Sequence, residues 1–266
     1  MTGRRSVIGF SLLCALIACA FFAQSASAVP AKNTTAFTCV KTPMPGTGDF
    51  QDAHCDKPAP LGGNFAHETL APGIKTKVTV SNESTQNETK EASPAVLKGT
   101  VAGAKLEITC KTVSGEATQE NEEVEAKKHR VRTIGAPKLT SCTVTKPALG
   151  CKVKEPITLE VEAEGVEELG AGKNEMGIEF RPSAGETFAE FTIEGCALAG
   201  TFKITGTAIA TGTPAPTEKH GGATKRFTSA MTKETLKLAG NPAEFESAIT
   251  VRMAGGGNPI SFTTVT

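Results

Sequence analysis

A short stretch of the chain gathers the side chains best suited to chemistry: Asp49, Asp52, His54, Asp56 and His67. A histidine beside carboxylates is the usual equipment of acid–base catalysis, because imidazole titrates near neutrality and a carboxylate can orient it. A hydrolase built here would converge Asp52, His54 and His67 on one cleft. His67-Glu68 also begins like the zinc-protease helix motif, but the second histidine of that motif would fall on Ala71, so the motif fails. Asp49, Asp52 and Asp56 could offer oxygen ligands to a hard cation such as calcium. Their spacing matches no calcium loop, His54 and Cys55 interrupt it, and a solvated turn is the simpler reading. His54, His67, His129 and His220 all stand in polar or turn-like surroundings and read as solvated surface histidines. No G-x-S-x-G elbow occurs, and no glycine-rich loop sits between a strand and a helix to cradle phosphate. The sequence therefore assigns no catalytic, cofactor-binding or metal-ligating residue.

The cysteines carry a different chemistry. Of eight, Cys14 and Cys19 lie in an apolar N-terminal run, which leaves Cys39, Cys55, Cys110, Cys142, Cys151 and Cys196. An even set without any C-x-x-C pair points to three disulfides and away from zinc. Cys39–Cys55 is the best-defined pair, because Pro43, Pro45, Gly46 and Gly48 turn the chain back between them. A loop of that size stabilises by about 3 kcal/mol in the chain-entropy model. For the other four the favoured pairing is Cys142–Cys151 with Cys110–Cys196. The rival is Cys110–Cys142 with Cys151–Cys196.

The N-terminus predicts export. Arg4 and Arg5 precede the uncharged run Val7 to Phe22, and Ala26-Ser27-Ala28 supplies a small-x-small cleavage site. Residues 1–28 thus read as a signal peptide, with a mature start at Val29 and a secreted or envelope-associated product. Alternatives are a lipoprotein anchored at Cys19 and a twin-arginine signal at Arg4-Arg5. No later segment is apolar enough to serve as a transmembrane anchor.

The rest of the chain must position whatever site exists, and it reads as strands. The chain is rich in Thr, Val, Ile and Gly, and stiff branched side chains suit a pleated surface. Period-two alternation recurs at Ile74 to Val80, Leu106 to Cys110, Ile157 to Val161, Met176 to Phe180, Phe245 to Met253 and Ile260 to Phe262. Gly and Pro clusters break these runs at short intervals. The prediction is an all-β fold, an antiparallel β-sandwich or barrel-like domain with disulfides. Glu116 to Arg130 has almost no large apolar residue except Val124, and reads as a charged edge strand and loop. Glu160 to Leu169 reads as strand then loop. Polar residues 82–93 divide a short N-terminal segment (29–93, with the linker) from a main β domain (94–266). The sequons at Asn33, Asn82 and Asn87 mark exposed segments, and Thr211 to Lys225 is a second polar connection.

Composition excludes some partners. Positive and negative residues balance at 28 each, so no field attracts nucleic acid or anionic membrane. Trp and Tyr are both absent, which removes the usual platforms for stacking sugars and bases.

Two segments carry a family likeness. One is Phe50-x-Asp52-Ala53-His54-Cys55 followed by Phe65-x-His67. The other runs from Cys142-Thr143-Val144 through Cys151-Lys152-Val153-Lys154-Glu155-Pro156-Ile157 to Phe188-Ala189-Glu190-Phe191-Thr192-Ile193-Glu194-Gly195-Cys196-Ala197-Leu198-Ala199-Gly200-Thr201-Phe202-Lys203-Ile204-Thr205-Gly206. Together they resemble a large set of uncharacterised secreted proteins of soil actinobacteria. The resemblance implies an exported β protein of no assigned activity, with no catalytic residues to carry over. The expected function is a secreted, non-catalytic β protein with a structural or surface-binding role, its partner in the cell envelope or outside it. The alternative is a carrier of a small apolar ligand, with Phe180, Phe188, Phe191 and Phe202 around a cavity of roughly 300 Å³ or more. An extracellular hydrolase ranks third.

Overall fold

The computed structural model describes residues 29–30, 34–52, 55, 57–84, 91–92, 94–126, 128–167, 176–212, 225–227, 235–255 and 260–264. The signal-like segment, Cys14, Cys19, Asn33, His54, Asp56, Asn87 and His220 lie outside the described residues, as does most of each polar connection.

The larger strands follow the alternating segments. In chain order they are β1 (Thr34–Lys41), β2 (Gly48–Phe50), β3 (Pro58–Gly63), β4 (Phe65–Thr69), β5 (Thr76–Ser81), β6 (Ala95–Val101) and β7 (Ala104–Glu125). Then come β8 (Lys128–Gly135), β9 (Lys138–Lys146), β10 (Lys152–Leu159), β11 (Val161–Glu167) and β12 (Met176–Pro182). The last are β13 (Thr187–Glu194), β14 (Gly200–Thr205), β15 (Ala208–Gly212), β16 (Glu244–Met253) and β17 (Ile260–Thr264). Among the described residues there is no helix, and every ladder is antiparallel. The protein is all-β, and no sheet closes on itself.

The large sheet runs β15-β12-β11-β8-β7-β9-β10-β13-β14. Its hub is β7. The first part of β7 pairs with β6 and β9, and the later part with β5 and β8. The burial of β7 explains how one strand serves both. Leu106, Ile108 and Cys110 are buried at even positions, whereas Val113, Ala117, Gln119 and Asn121 are buried at odd ones. The alternation changes phase between Cys110 and Val113, so the strand presents opposite faces to the interior along its length. β16 bridges the same two regions, pairing with β6 near Phe245 and with β5 near Val251. Leu97, Ile108, Leu139, Ile157, Phe188 and Phe245 belong to the main core cluster. Phe188 meets Phe245 edge-on at 6.0 Å between ring centroids.

A second sheet, β17-β1-β4-β2-β3, joins the C-terminal strand to the N-terminal ones. Strands from both sides of position 94 therefore share each of these two sheets. What docks this sheet onto β7 is Asn121, 0% exposed. Its Oδ1 accepts the Ala36 N–H at 2.7 Å. Its Nδ2 contacts Thr35 Oγ1, the Ala36 carbonyl and the Leu70 carbonyl at 3.0, 3.2 and 2.7 Å. Nearby, Val131 N–H donates to Thr34 Oγ1 at 2.8 Å.

Glu116 to Arg130 is more regular than an edge strand and loop: Glu116 to Glu125 closes a 22-residue strand, paired on both sides as far as Gln119 and with β8 alone beyond it, and Lys128 to Arg130 open β8. The interior face of β7 carries Asn121, whose hydrogen bonds do the work that apolar packing does elsewhere. Asn82 departs from expectation similarly: it is buried, accepts Val113 N–H at 2.9 Å and donates to the Lys111 carbonyl at 2.8 Å. Ile74 lies outside β5 and is exposed, so only Val78 and Val80 bury from that run.

The disulfides are Cys39–Cys55, Cys110–Cys142 and Cys151–Cys196. The first pair is the one expected. The favoured Cys142–Cys151 and Cys110–Cys196 pairing is wrong, and the rival holds. Cys110 and Cys142 face each other as register partners on β7 and β9. The β9–β10 hairpin pairs Lys138 with Thr158 and Leu139 with Ile157. Continued along the hairpin, that register places Cys142 opposite Lys154 and out of reach of Cys151.

Candidate functional site

Four strands, β7, β8, β11 and β12, form a wall with two unlike faces. Register sets Glu122 opposite Arg130, Arg132 opposite Glu164, and Glu162 opposite Arg181. These charged residues share one face. The residues between them, Gln119, Val131, Thr133, Val161, Ala163, Ile178 and Phe180, line a cavity on the other.

On the charged face, three arginines and three glutamates close a ring. Glu122 pairs with Arg130, through Nε at 3.0 Å and through Nη2. Arg130 Nη1 lies 2.8 Å from Glu164, and Glu164 lies 2.8 Å from Arg181 Nη2. Arg181 reaches Glu162 at 2.7 Å, and Arg132 grips Glu162 with two bonds of 2.8 and 3.1 Å. Arg132 Nη1 returns to Glu122 at 3.8 Å. Glu164 is only 1% exposed. Its contacts are ionic and poorly directed as hydrogen bonds, since neither carboxylate oxygen finds a well-aligned donor. The Arg132 hydrogen bond holds the Glu162 carboxyl below its usual range against the opposing effect of burial, with Arg181 helping. Glu179, opposite Glu164, is pushed up by burial and by the Glu164 charge, with Arg181 opposing. None of this ring was visible in the sequence, because its members are scattered over 60 positions and meet only through register.

On the opposite face the cavity measures about 80 Å³ and is roofed by Phe188 of β13, Phe245, Ile249 and Val251 of β16, and Ile260 of β17. That is well short of the roughly 300 Å³ expected of a carrier for a drug-sized ligand. Of the four phenylalanines considered as cavity lining, Phe180 and Phe188 contribute. Phe191 is buried in the core and Phe202 packs on it at 5.6 Å between ring centroids.

The residues first suspected of chemistry are only partly brought together. Asp49 lies on β2 and is exposed, and Asp52 is in the following turn, where it accepts the Lys57 N–H at 2.8 Å. His67, on β4, is half-buried between Phe37 and Phe50, with ring centroids 4.3 and 4.6 Å away. Its Nε2 is buried without a hydrogen-bond partner. Burial therefore lowers its pKa, and the Asp49 charge only partly offsets this. No group of three His, Cys, Asp or Glu side chains poised to hold a metal occurs among the described residues.

These shifts predict a pH dependence. A histidine whose folded pKa is lowered gives stability that is complete above its unfolded value, about 6.5, and lost as pH falls below it. Glu162, also lowered, adds a second loss below its unfolded value of about 4.3. Glu179 is raised and acts in the opposite sense over the window above that value. Urea melts should show stability falling from pH 7 to 5. His67→Phe should flatten that upper limb and leave the loss below pH 4.5 in place. An unchanged slope in the variant would show that another group titrates there.

No protein-family model, curated protein or solved structure gives a match to this chain. What fold and site define is a class: an all-β, antiparallel, three-disulfide protein with a closed ion-pair ring on one sheet face. No helix among the described residues is long and apolar enough to cross a membrane.

Proposed function

We propose that this is an exported, non-catalytic β protein with a structural or surface-binding role at or beyond the cell envelope. The observation that supports it best is the closed ring of Glu122, Arg130, Glu164, Arg181, Glu162 and Arg132. Here the fold uses a cluster of six charged side chains to satisfy one another. Each of these carboxylates is matched to guanidinium groups, an arrangement that fastens strands together, and at Glu162 the Arg132 hydrogen bond holds the carboxyl below its usual range. General acid–base chemistry needs the reverse, a group free to gain and lose a proton at working pH. Three disulfides, which persist in oxidising compartments, fit the export signature of the first 28 residues.

The test is to express the whole chain, collect the exported product, sequence its N-terminus and assay it. The expected product begins at Val29 and shows no turnover of generic ester, peptide or glycoside substrates. Turnover abolished by His67→Ala or Asp52→Ala in folded protein would overturn the non-catalytic reading. Retention of the intact protein in the cytoplasm would overturn export.

A further inference from the structure

The chain leading into β1 is tied to the wall. Val29–Pro30 pairs antiparallel with the end of β11, Val29 opposite Glu167 and Pro30 opposite Val166. Earlier on β11, the β8–β11 ladder joins Arg132–Gly135 to Val161–Glu164 and goes no further. Its next pair would be Val131 with Gly165, and Thr34 stands against both. The Thr34 hydroxyl oxygen accepts the Val131 N–H at 2.8 Å. A Cβ on Gly165 would lie 3.0 Å from Thr34 Oγ1, so the glycine is what lets β11 approach so closely. Thr34 is 0% exposed, and Asn121 holds Thr35 and Ala36 immediately after it.

We propose that the folded chain closes its own cleavage site, so that the signal is removed before Thr34 is seated and the domain folds only after crossing the membrane. This rests on the reading of residues 1–28 as a signal cleaved after Ala28. Cleavage hydrolyses the Ala28–Val29 amide: one water is consumed, and the products carry the Ala28 carboxylate and the Val29 ammonium. A protease holds the residues flanking such a bond as an extended strand along its cleft. In the folded chain the backbone of Val29 and Pro30, which follow the bond, is already engaged by β11. Fraying of that short ladder does not release the site. Only residues 29–33 separate the bond from Thr34, and a chain of that length reaches about 17 Å when fully extended. The bond therefore stays beside the sheet, tethered to a side chain with no exposure. Before folding, the same segment has no strand partner and is open to the cleft. The three disulfides close in an oxidising compartment, which places folding on the same side of the membrane as cleavage.

The test uses the full chain with its signal, in detergent micelles, and a purified signal peptidase. Three forms are compared. One is the oxidised, folded precursor, and the second is the same chain reduced and kept unfolded by alkylation. The third is the folded precursor with about ten Gly/Ser residues inserted after Pro30, which adds about 17 Å of average reach. The readout is the rate at which product beginning at Val29 appears. The folded wild type should be cut about 10-fold or more slowly than the unfolded chain, because cleavage then waits on local opening. The insertion should restore the unfolded-chain rate with all three disulfides intact. Equal rates for the folded and unfolded wild-type precursors, both yielding Val29, would overturn the closed site and leave the export reading standing. An unfolded chain that is not cut after Ala28 would overturn both. A folded insertion variant as resistant as the wild type would also overturn the proposal, since the tether to Thr34 would not be what closes the site. The two wild-type forms decide the matter even if the insertion prevents folding.

Discussion

Asn121→Ala should lower the unfolding free energy by about 4 kcal/mol, a large share of the roughly 5–15 kcal/mol that holds a domain together. The side chain has no exposure and links two sheets through one accepted and three donated contacts. Truncation removes those bonds and strands their partners. Ala36, itself fully buried, loses the acceptor for its N–H, and the Leu70 carbonyl loses its 2.7 Å donor. Each orphaned buried group costs about 1–3 kcal/mol, whereas a solvent-exposed hydrogen bond would cost far less. Asn121→Asp should also fail to rescue, because it retains the acceptor for Ala36 but buries a charge and loses the amide donors. Urea melts give the readout: the midpoint should fall with little change in slope. A loss below about 1 kcal/mol would mean that β1 and the Leu70 turn hold their places without Asn121.

Opening the Cys151–Cys196 bridge by a paired Cys151→Ala, Cys196→Ala substitution should cost about 4 kcal/mol in the chain-entropy model. Its 45-residue separation is the longest of the three, against 32 for Cys110–Cys142 and 16 for Cys39–Cys55. It joins the start of β10 to the turn after β13, so the ladder between those strands is tied at one end. Alanine is the right replacement because Cys151 is buried in the main core cluster and serine would add an unsatisfied hydroxyl there. The paired Cys39→Ala, Cys55→Ala variant should lose about 3 kcal/mol by the same reckoning. Thermal melts of the two double variants rank the bridges. If the 16-residue bridge proves the more important, native-state packing around Cys39, Phe50 and Cys55 outweighs loop entropy.

What the sequence by itself determined is whatever depends on neighbours along the chain. Alternation at Ile157, Leu159, Val161, Phe245 and Ile249 placed those residues inside, since a strand sends successive side chains to opposite faces. The all-β class followed from such runs and from the turn residues between them. Cys39–Cys55 was legible because a short proline- and glycine-rich loop leaves little freedom over where its ends meet. Beyond these, register decided, and register is a relation between strands remote in the chain. It gave Cys110 to Cys142 instead of Cys196, and it closed Glu122, Arg130, Arg132, Glu162, Glu164 and Arg181 into a ring. The strongest misreading, at Glu116 to Arg130, arose because hydropathy takes an asparagine for a surface residue. A buried Asn121 is stable only when four specific partners converge on it, and only the tertiary structure brings Thr35, Ala36 and Leu70 to the same point.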